Sequence, residues 1–349
     1  MWVESGGAPI LDPIHAQQTG GLSSAGRRRL PRVGSVVAAL LALTLSACGS
    51  SASSPPPAAR NSAATTTTAP RFLPGTGRPP VAIGDKNFTE QFILGELYYQ
   101  ALTAQGFTVS LNKNIGSTEV TQLALEDGQL DMYPEYIGTF DADVANEGTS
   151  FPSVHAAFTA GRRYAVAHGL QLLRPTPFSD TDAIAVRSVY GAEHHLRVIA
   201  DLTRVESGLT LGAPPQFQDS KAGLQGIEST YGVVPAHFQP LAIGLQYQAL
   251  KAGSVQAADV FTTDGQLASG QYQLLGDPDH VFPFENVVPV VTQSALLAEG
   301  PAFVDTIDSV SSSLTTEAMR LLNADVNLYN QTPAAAARRY LIEHGLLSG

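Results

Sequence analysis

Asp131-Met-Tyr-Pro-Glu-Tyr-Ile-Gly-Thr139 reads as the end of a short strand over 130–133, stopped by Pro134, whose nitrogen has no hydrogen for a ladder. Tyr136 and Thr139 follow from a turn that Gly138 loosens. An aromatic face and a hydroxyl at the carboxyl end of a strand suit a small ligand at a sheet edge. The same pattern also describes a core strand and an ordinary turn. The flanking sequence decides between the two.

Upstream, Val81–Gly84 reads as a strand and 89–105 as a helix that can bury Phe92, Leu94, Leu97, Tyr98, Ala101 and Leu102. A strand over 107–111 follows. Ser117 or Thr118 then caps a helix to Asp127, with Gly128 at its carboxyl end. This alternation of strand and helix is the rhythm of a doubly wound α/β sheet, whose ligands sit outside strand carboxyl ends near helix amino termini. Gly84-Asp-Lys-Asn87 and the turn after Pro134 both fall at such ends.

Downstream, a helix over 153–168 and a strand over 170–173 precede a strand at 183–187 that crosses into another lobe. Residues 209–213 open a second α/β set, with helices near 220–230 and 242–252 and a buried strand over 257–262. The apolar run 287–291 is the returning crossover, and Thr332-Pro333 caps a last helix. The expected fold class is α/β, with two doubly wound lobes joined by two crossover strands. Lobe one spans 81–183 and 288–349, and lobe two spans 184–287.

The amino-terminal residues read as an address. Arg27, Arg28, Arg29 and Arg32 precede an apolar run over 33–45 and Leu45-Ser-Ala-Cys48. Basic patch, apolar stretch and small residues describe a secretory signal over 1–47, including an amino-terminal extension. The run is shorter than the ~20 residues a spanning helix needs. Leu-Ser-Ala-Cys resembles a bacterial lipobox, which makes Cys48 the lipidated first residue. Residues 48–80 are rich in Ser, Pro, Ala and Thr, too polar to offset ordering entropy, and read as a disordered tether off a membrane.

Composition narrows the function. A net charge of −11 argues against nucleic acid and leans towards cationic or neutral ligands. Cys48 is the one cysteine, which rules out an intrachain disulfide and a cysteine metal site. No nucleophile elbow, His-Glu-x-x-His helix, Walker loop or Gly-x-Gly-x-x-Gly fingerprint occurs. Glu193-His-His195 is the densest ionisable cluster, but adjacent helical residues point in different directions. The expectation is a binding protein, not an enzyme, with no catalytic residue, cofactor or metal.

Several motifs in one order carry a resemblance: Val81-Ala-Ile-Gly-Asp-Lys-Asn-Phe-Thr-Glu-Gln91, the 131–139 stretch, Gly244-Leu-Gln-Tyr-Gln-Ala-Leu250, Phe261-Thr-Thr-Asp-Gly265, Phe282-Pro283, Pro289-Val290 and Leu321-Leu-Asn323. From 81 to 347 the chain resembles the glycine betaine, carnitine and choline receptors of osmoprotectant ABC importers. The resemblance implies a type II periplasmic-binding-protein fold that closes on its solute. It also implies an extracytoplasmic lipoprotein that docks on a permease driven by a separate ATPase. In that family tyrosines cage a trimethylammonium head, which has no N–H and is held by ring faces and charge.

Lys86, Tyr136 and Thr139 match family positions in lobe one. Lobe two is expected to present Phe261, Thr262 and Glu285, with Asp180 and Asp182 near the crossover. Elsewhere the chain departs from the pattern. Asp182 follows Thr181 where a tyrosine is frequent, Phe284-Glu285 replaces Pro-Tyr, Phe261 replaces a tyrosine, and Ser220 is nearest to a carboxylate-clamping arginine. The ring cage is depleted and the site gains carboxylates. Two ligand classes therefore stay open: a quaternary ammonium of the choline or glycine betaine kind, and a protonated amine or hydroxyl-rich, polyphenol-like solute.

Overall fold

The computed structural model describes residues 72–348. Its strands in chain order are β1 (Val81–Gly84), β2 (Val109–Asn112), β3 (Met132–Tyr136), β4 (Leu170–Leu172), β5 (Asp182–Arg187), β6 (Thr210–Ala213), β7 (His237–Pro240), β8 (Ala257–Phe261), β9 (Tyr272–Leu274) and β10 (Val287–Thr292). They form two five-stranded sheets, ordered β2-β1-β3-β10-β4 and β7-β6-β8-β5-β9. In the first sheet β1 runs parallel to β2 and β3, and in the second β6 runs parallel to β7 and β8. The antiparallel members are β10 and β5, the strands by which the chain returns to the first lobe and enters the second. An antiparallel bridge between Ser179 and Asn286 ties the two linking segments together.

The strand at the centre of the sequence reading does not stop at Pro134. Pro134 lies mid-β3, directly opposite Pro289 of β10. The Ile137 N–H donates to the Asn286 carbonyl, so hydrogen-bonded pairs fall on odd residues of β3. Pro134 occupies a position from which the β3–β10 ladder needs no hydrogen. Pro289 meanwhile presents its carbonyl to the Leu173 N–H on its other side.

Gly138 likewise has a different role from loosening a turn. It lies in a helical turn, Ile137–Thr139, that runs into a π-helix, Phe140–Val144. A Cβ at Gly138 would sit 2.7 Å from Glu285 Oε1 and 2.7 Å from the Phe284 carbonyl. Glycine is required there by the close approach of the returning chain.

Helix α1 (Thr89–Ala104) buries Ile93, Leu94, Leu97 and Tyr98 in the core between the first sheet and the helices Pro301–Ser313 and Pro333–Glu343. The last of these starts as its sequence directs, with the Thr332 hydroxyl accepting from the Ala335 N–H at 3.2 Å ahead of Pro333. The second lobe has its own core around Ile184, Leu211, Phe217, Ile227 and Phe282. Its helices begin later than the sequence suggests, at Leu224–Tyr231 and Gln246–Ala252. The helix Thr316–Asn327 packs on both α1 and the second lobe, where a Cβ at Gly265 would meet the Ala324 nitrogen at 2.6 Å.

Candidate ligand cleft

On the first lobe, β1 and β3 end side by side and deliver Lys86 and Tyr136 to one place. Lys86 is only 4% exposed, and a buried ammonium needs partners. Its Nζ pairs with the carboxylate of fully buried Glu135 and donates to Thr118 Oγ1 at 3.1 Å. Thr118, the first residue of α2 (Thr118–Glu126), closes the triangle by donating to Glu135 Oε2 at 3.0 Å. An ammonium has three donors, and these partners take two of them.

Two rings flank that ammonium. Its Nζ lies 5.0 Å from the centroid of Tyr136 and 5.8 Å from that of Phe88. The rings stack at 6.0 Å with an interplanar angle of 24°. Phe88 is 39% exposed and Tyr136 is 5% exposed, so Phe88 gives the pair its open side.

Behind Tyr136 runs a buried hydrogen-bond chain. Its hydroxyl donates to Glu90 Oε1 at 2.9 Å, and Asn323 Nδ2 donates to Glu90 Oε2 at 2.7 Å. Asn323 also donates to the Thr263 carbonyl at 2.9 Å, and the Thr263 hydroxyl donates to Asp180 Oδ1 at 2.6 Å. The chain thus passes from the first lobe through the helix Thr316–Asn327 to the end of β8 and the linking segment. Burial raises the pKa of both Glu90 and Asp180; Glu90 raises Asp180 further, and Asp264 adds to the rise of Glu90. For Glu90, hydrogen bonds from Asn323, Thr263 and Tyr136 oppose that rise.

Glu285 stands on a different side from the one expected. Its Oε2 accepts from the Thr139 N–H at 3.0 Å, so the first lobe holds it. Burial, then Glu135, push it up to about 8, against the pull of the Thr139 N–H and Lys86. On the second lobe, Thr262 spends its hydroxyl on the linking segment. It accepts from the Thr181 N–H at 3.0 Å and donates to the Ser179 carbonyl at 2.5 Å. Arg320 Nε donates to the Thr262 carbonyl at 2.8 Å. Phe261 ends β8 opposite Asp182, the first residue of β5.

The structure therefore gathers Lys86, Tyr136, Thr139, Asp180 and Glu285 around one set of contacts. Asp182 and Thr262 line a cavity of about 240 Å³ next to the linking segments. Cys48 lies outside the described residues. Residues that the sequence reading did not place in the site are Phe88, Glu90, Thr118 (read there as a helix cap), Glu135 and Asn323. Glu135 carried a signal, because a carboxylate within a buried strand demands a cation. Among the described residues, no helix is long and apolar enough to cross a membrane, and no group of His, Cys, Asp and Glu is arranged to hold a metal.

Two lobes with matching strand orders, each with one antiparallel strand at the junction, make the type II periplasmic-binding-protein fold. The profile of the substrate binding domain of ABC-type glycine betaine transport systems matches residues 79–343, and the chain belongs to that family. It is 33% identical over 279 residues to a glycine-betaine-binding protein of Pseudomonas aeruginosa, covering 76% of this chain and 88% of the relative. It is 30% identical over 285 residues to the glycine betaine-binding protein YehZ of Escherichia coli, covering 78% of this chain and 93% of the relative. Apo YehZ superposes with a TM-score of 0.67 at 28% identity, over 76% of this chain and all but 1% of its own (99% covered). The crystal structure of a glycine betaine/carnitine/choline ABC transporter superposes with a TM-score of 0.72 at 24% identity, over 76% of this chain and 99% of the other.

Proposed function

We propose that this protein is the extracytoplasmic solute receptor of an ABC importer. It closes its lobes on a quaternary-ammonium solute of the choline or glycine betaine kind and hands it to a permease driven by a separate ATPase. The observation that carries this reading is the ring pair of Phe88 and Tyr136 beside the Lys86 ammonium, at the ends of β1 and β3. Ring faces suit methyl groups that cannot donate a hydrogen bond, and the remaining Lys86 N–H suits the hydroxyl or carboxylate end. Glycine betaine, which both relatives are named for binding, has that chemistry.

Cys48 and the segment after it supply the anchor and tether in this reading, holding the receptor at the outer face of the cell membrane; the tether ends before residue 80, because the Gly75 N–H already donates to the Gln105 carbonyl and the Arg78 guanidinium to the Ala298 carbonyl. The ligand class is tested by thermal unfolding with choline, glycine betaine and carnitine. A bound solute raises the melting temperature by mass action, by about 2.7 kcal/mol of stability at a hundredfold excess over Kd. A melting curve indifferent to all three at millimolar concentration would sink the assignment.

A further inference from the structure

Two threonines just after β8 join the linking segment on one side and the helix Thr316–Asn327 on the other. The Thr262 hydroxyl bonds the Thr181 N–H and the Ser179 carbonyl, and the Thr263 hydroxyl donates to Asp180 between them. Their backbone carbonyls serve the helix. Thr262 accepts from Arg320 Nε at 2.8 Å and Thr263 from Asn323 Nδ2 at 2.9 Å. Residues three apart share one face of a helix, so this face sets two donors in step with two consecutive carbonyls. Met319 and Leu322 of the same helix are buried in the first lobe's core, so it is the first lobe that reaches across.

Asn323 does more than tie the lobes. Its amide nitrogen also donates to Glu90 Oε2 at 2.7 Å, and Glu90 holds the Tyr136 hydroxyl. Both neighbours are acceptors, which fixes the amide with its nitrogen towards them and leaves its buried oxygen unpartnered. An orphaned buried acceptor is unfavourable, so the place is built for the two amide hydrogens.

We propose that Arg320 and Asn323 are positioning residues that couple the angle between the lobes to the solute-binding ring of Tyr136. The inference rests on the receptor reading and deepens it, by naming the side chains through which closure and binding become one equilibrium. Swinging the second lobe away breaks both carbonyl bonds and frees Asn323 from its place beside Glu90. A solute that bears on the Tyr136 ring favours the arrangement in which both carbonyls are held.

The test combines small-angle X-ray scattering with calorimetric titration of choline. Asn323→Leu removes the bonds to Thr263 and Glu90. Arg320→Met removes the bond to Thr262 from a half-buried position, and carries the test alone if melting curves show that Asn323→Leu is unfolded. Without solute, each folded variant should have a larger radius of gyration than the wild type. Choline affinity should fall about threefold in Arg320→Met and about tenfold in Asn323→Leu, because part of the population now lies outside the binding-competent arrangement. Saturating choline should return the radius to that of the wild-type complex. A purely structural role would lower the melting temperature and leave radius and affinity as in the wild type. That outcome overturns the proposal, as does a larger radius with unchanged affinity, and both leave the receptor reading standing. If neither choline nor glycine betaine binds the wild type, the receptor reading fails and the coupling to solute with it; unchanged radii would then overturn the hold on the second lobe as well.

Discussion

Tyr136 and Glu90 meet in the buried interior of the first lobe: the phenol donates to Glu90 Oε1 at 2.9 Å, with Tyr136 5% exposed and Glu90 4% exposed. The hydroxyl is thus occupied from behind, and the ring is held by its edge. Tyr136→Phe removes this donor and keeps the ring. Loss of a buried hydrogen bond to a carboxyl costs about 1–3 kcal/mol, so urea unfolding should show a loss of that size. Choline affinity should stay within about twofold, because the ring faces remain. A variant as stable as wild type would remove this bond from the account.

Lys86 and Glu135 form the most buried ion pair among the described residues, with side chains 6% and 0% exposed. Lys86→Met leaves Glu135 without its counter-charge, a change that costs about 3–5 kcal/mol when one partner of a buried pair is lost. Lys86→Met combined with Glu135→Gln should recover much of that loss, since neither charge then stays uncompensated. Equilibrium unfolding of the three variants measures the coupling. Additive losses would show that the pair acts as two independent groups.

Raised carboxyl groups set the pH dependence. Asp259 is pushed up to about 9, Glu285 to about 8 and Asp141 to about 7, each with burial as the leading cause. In each case the folded chain holds its proton more tightly than the unfolded chain. Their contribution to stability is therefore full below the ordinary carboxyl range and is lost as pH rises through about 7 to 9. Melting temperature should fall between pH 5 and pH 9, and Asp259→Asn should flatten that slope. A profile that rises over the same interval contradicts the assignment.

Gly138→Ala places a methyl group 2.7 Å from Glu285 Oε1 and from the Phe284 carbonyl. The returning chain must shift or the helical turn must tilt, a strain of about 1–3 kcal/mol. Calorimetric unfolding should record it, together with weaker choline binding as Glu285 and Phe284 move. An unperturbed variant would mean that the linking segment yields freely at this point.

Much of the first lobe was legible because its strands and helices keep their own periods, and because Thr332-Pro333 spells out a helix start. Pro134 misled the reading, because proline is excluded from a ladder only where its missing hydrogen is needed. Strands β7 and β9 were invisible for a related reason. Both are short sheet edges, half-exposed, and His237-Phe-Gln-Pro has no apolar alternation. In the site, Lys86 and Tyr136 lie at strand ends as their motifs indicate, whereas Thr139 ends a helical turn and the Tyr136 ring is packed into the first lobe's core, 5% exposed. Glu285 could not be assigned to a lobe from order along the chain, because its lobe is decided by the Thr139 N–H across 146 residues. Glu90, Phe88 and Asn323 sat inside motifs already quoted, yet their joint role exists only in three dimensions.

The central claim is that a small organic cation is bound where the Tyr136 ring and Lys86 meet. Isothermal titration of the purified protein and of Tyr136→Ala with choline tests it most directly. The account predicts saturable binding of one choline per chain, weakened about tenfold or more in the variant through lost ring contact and burial. It is contradicted if neither choline nor glycine betaine gives any heat with the wild type, or if Tyr136→Ala binds choline as tightly as the wild type does.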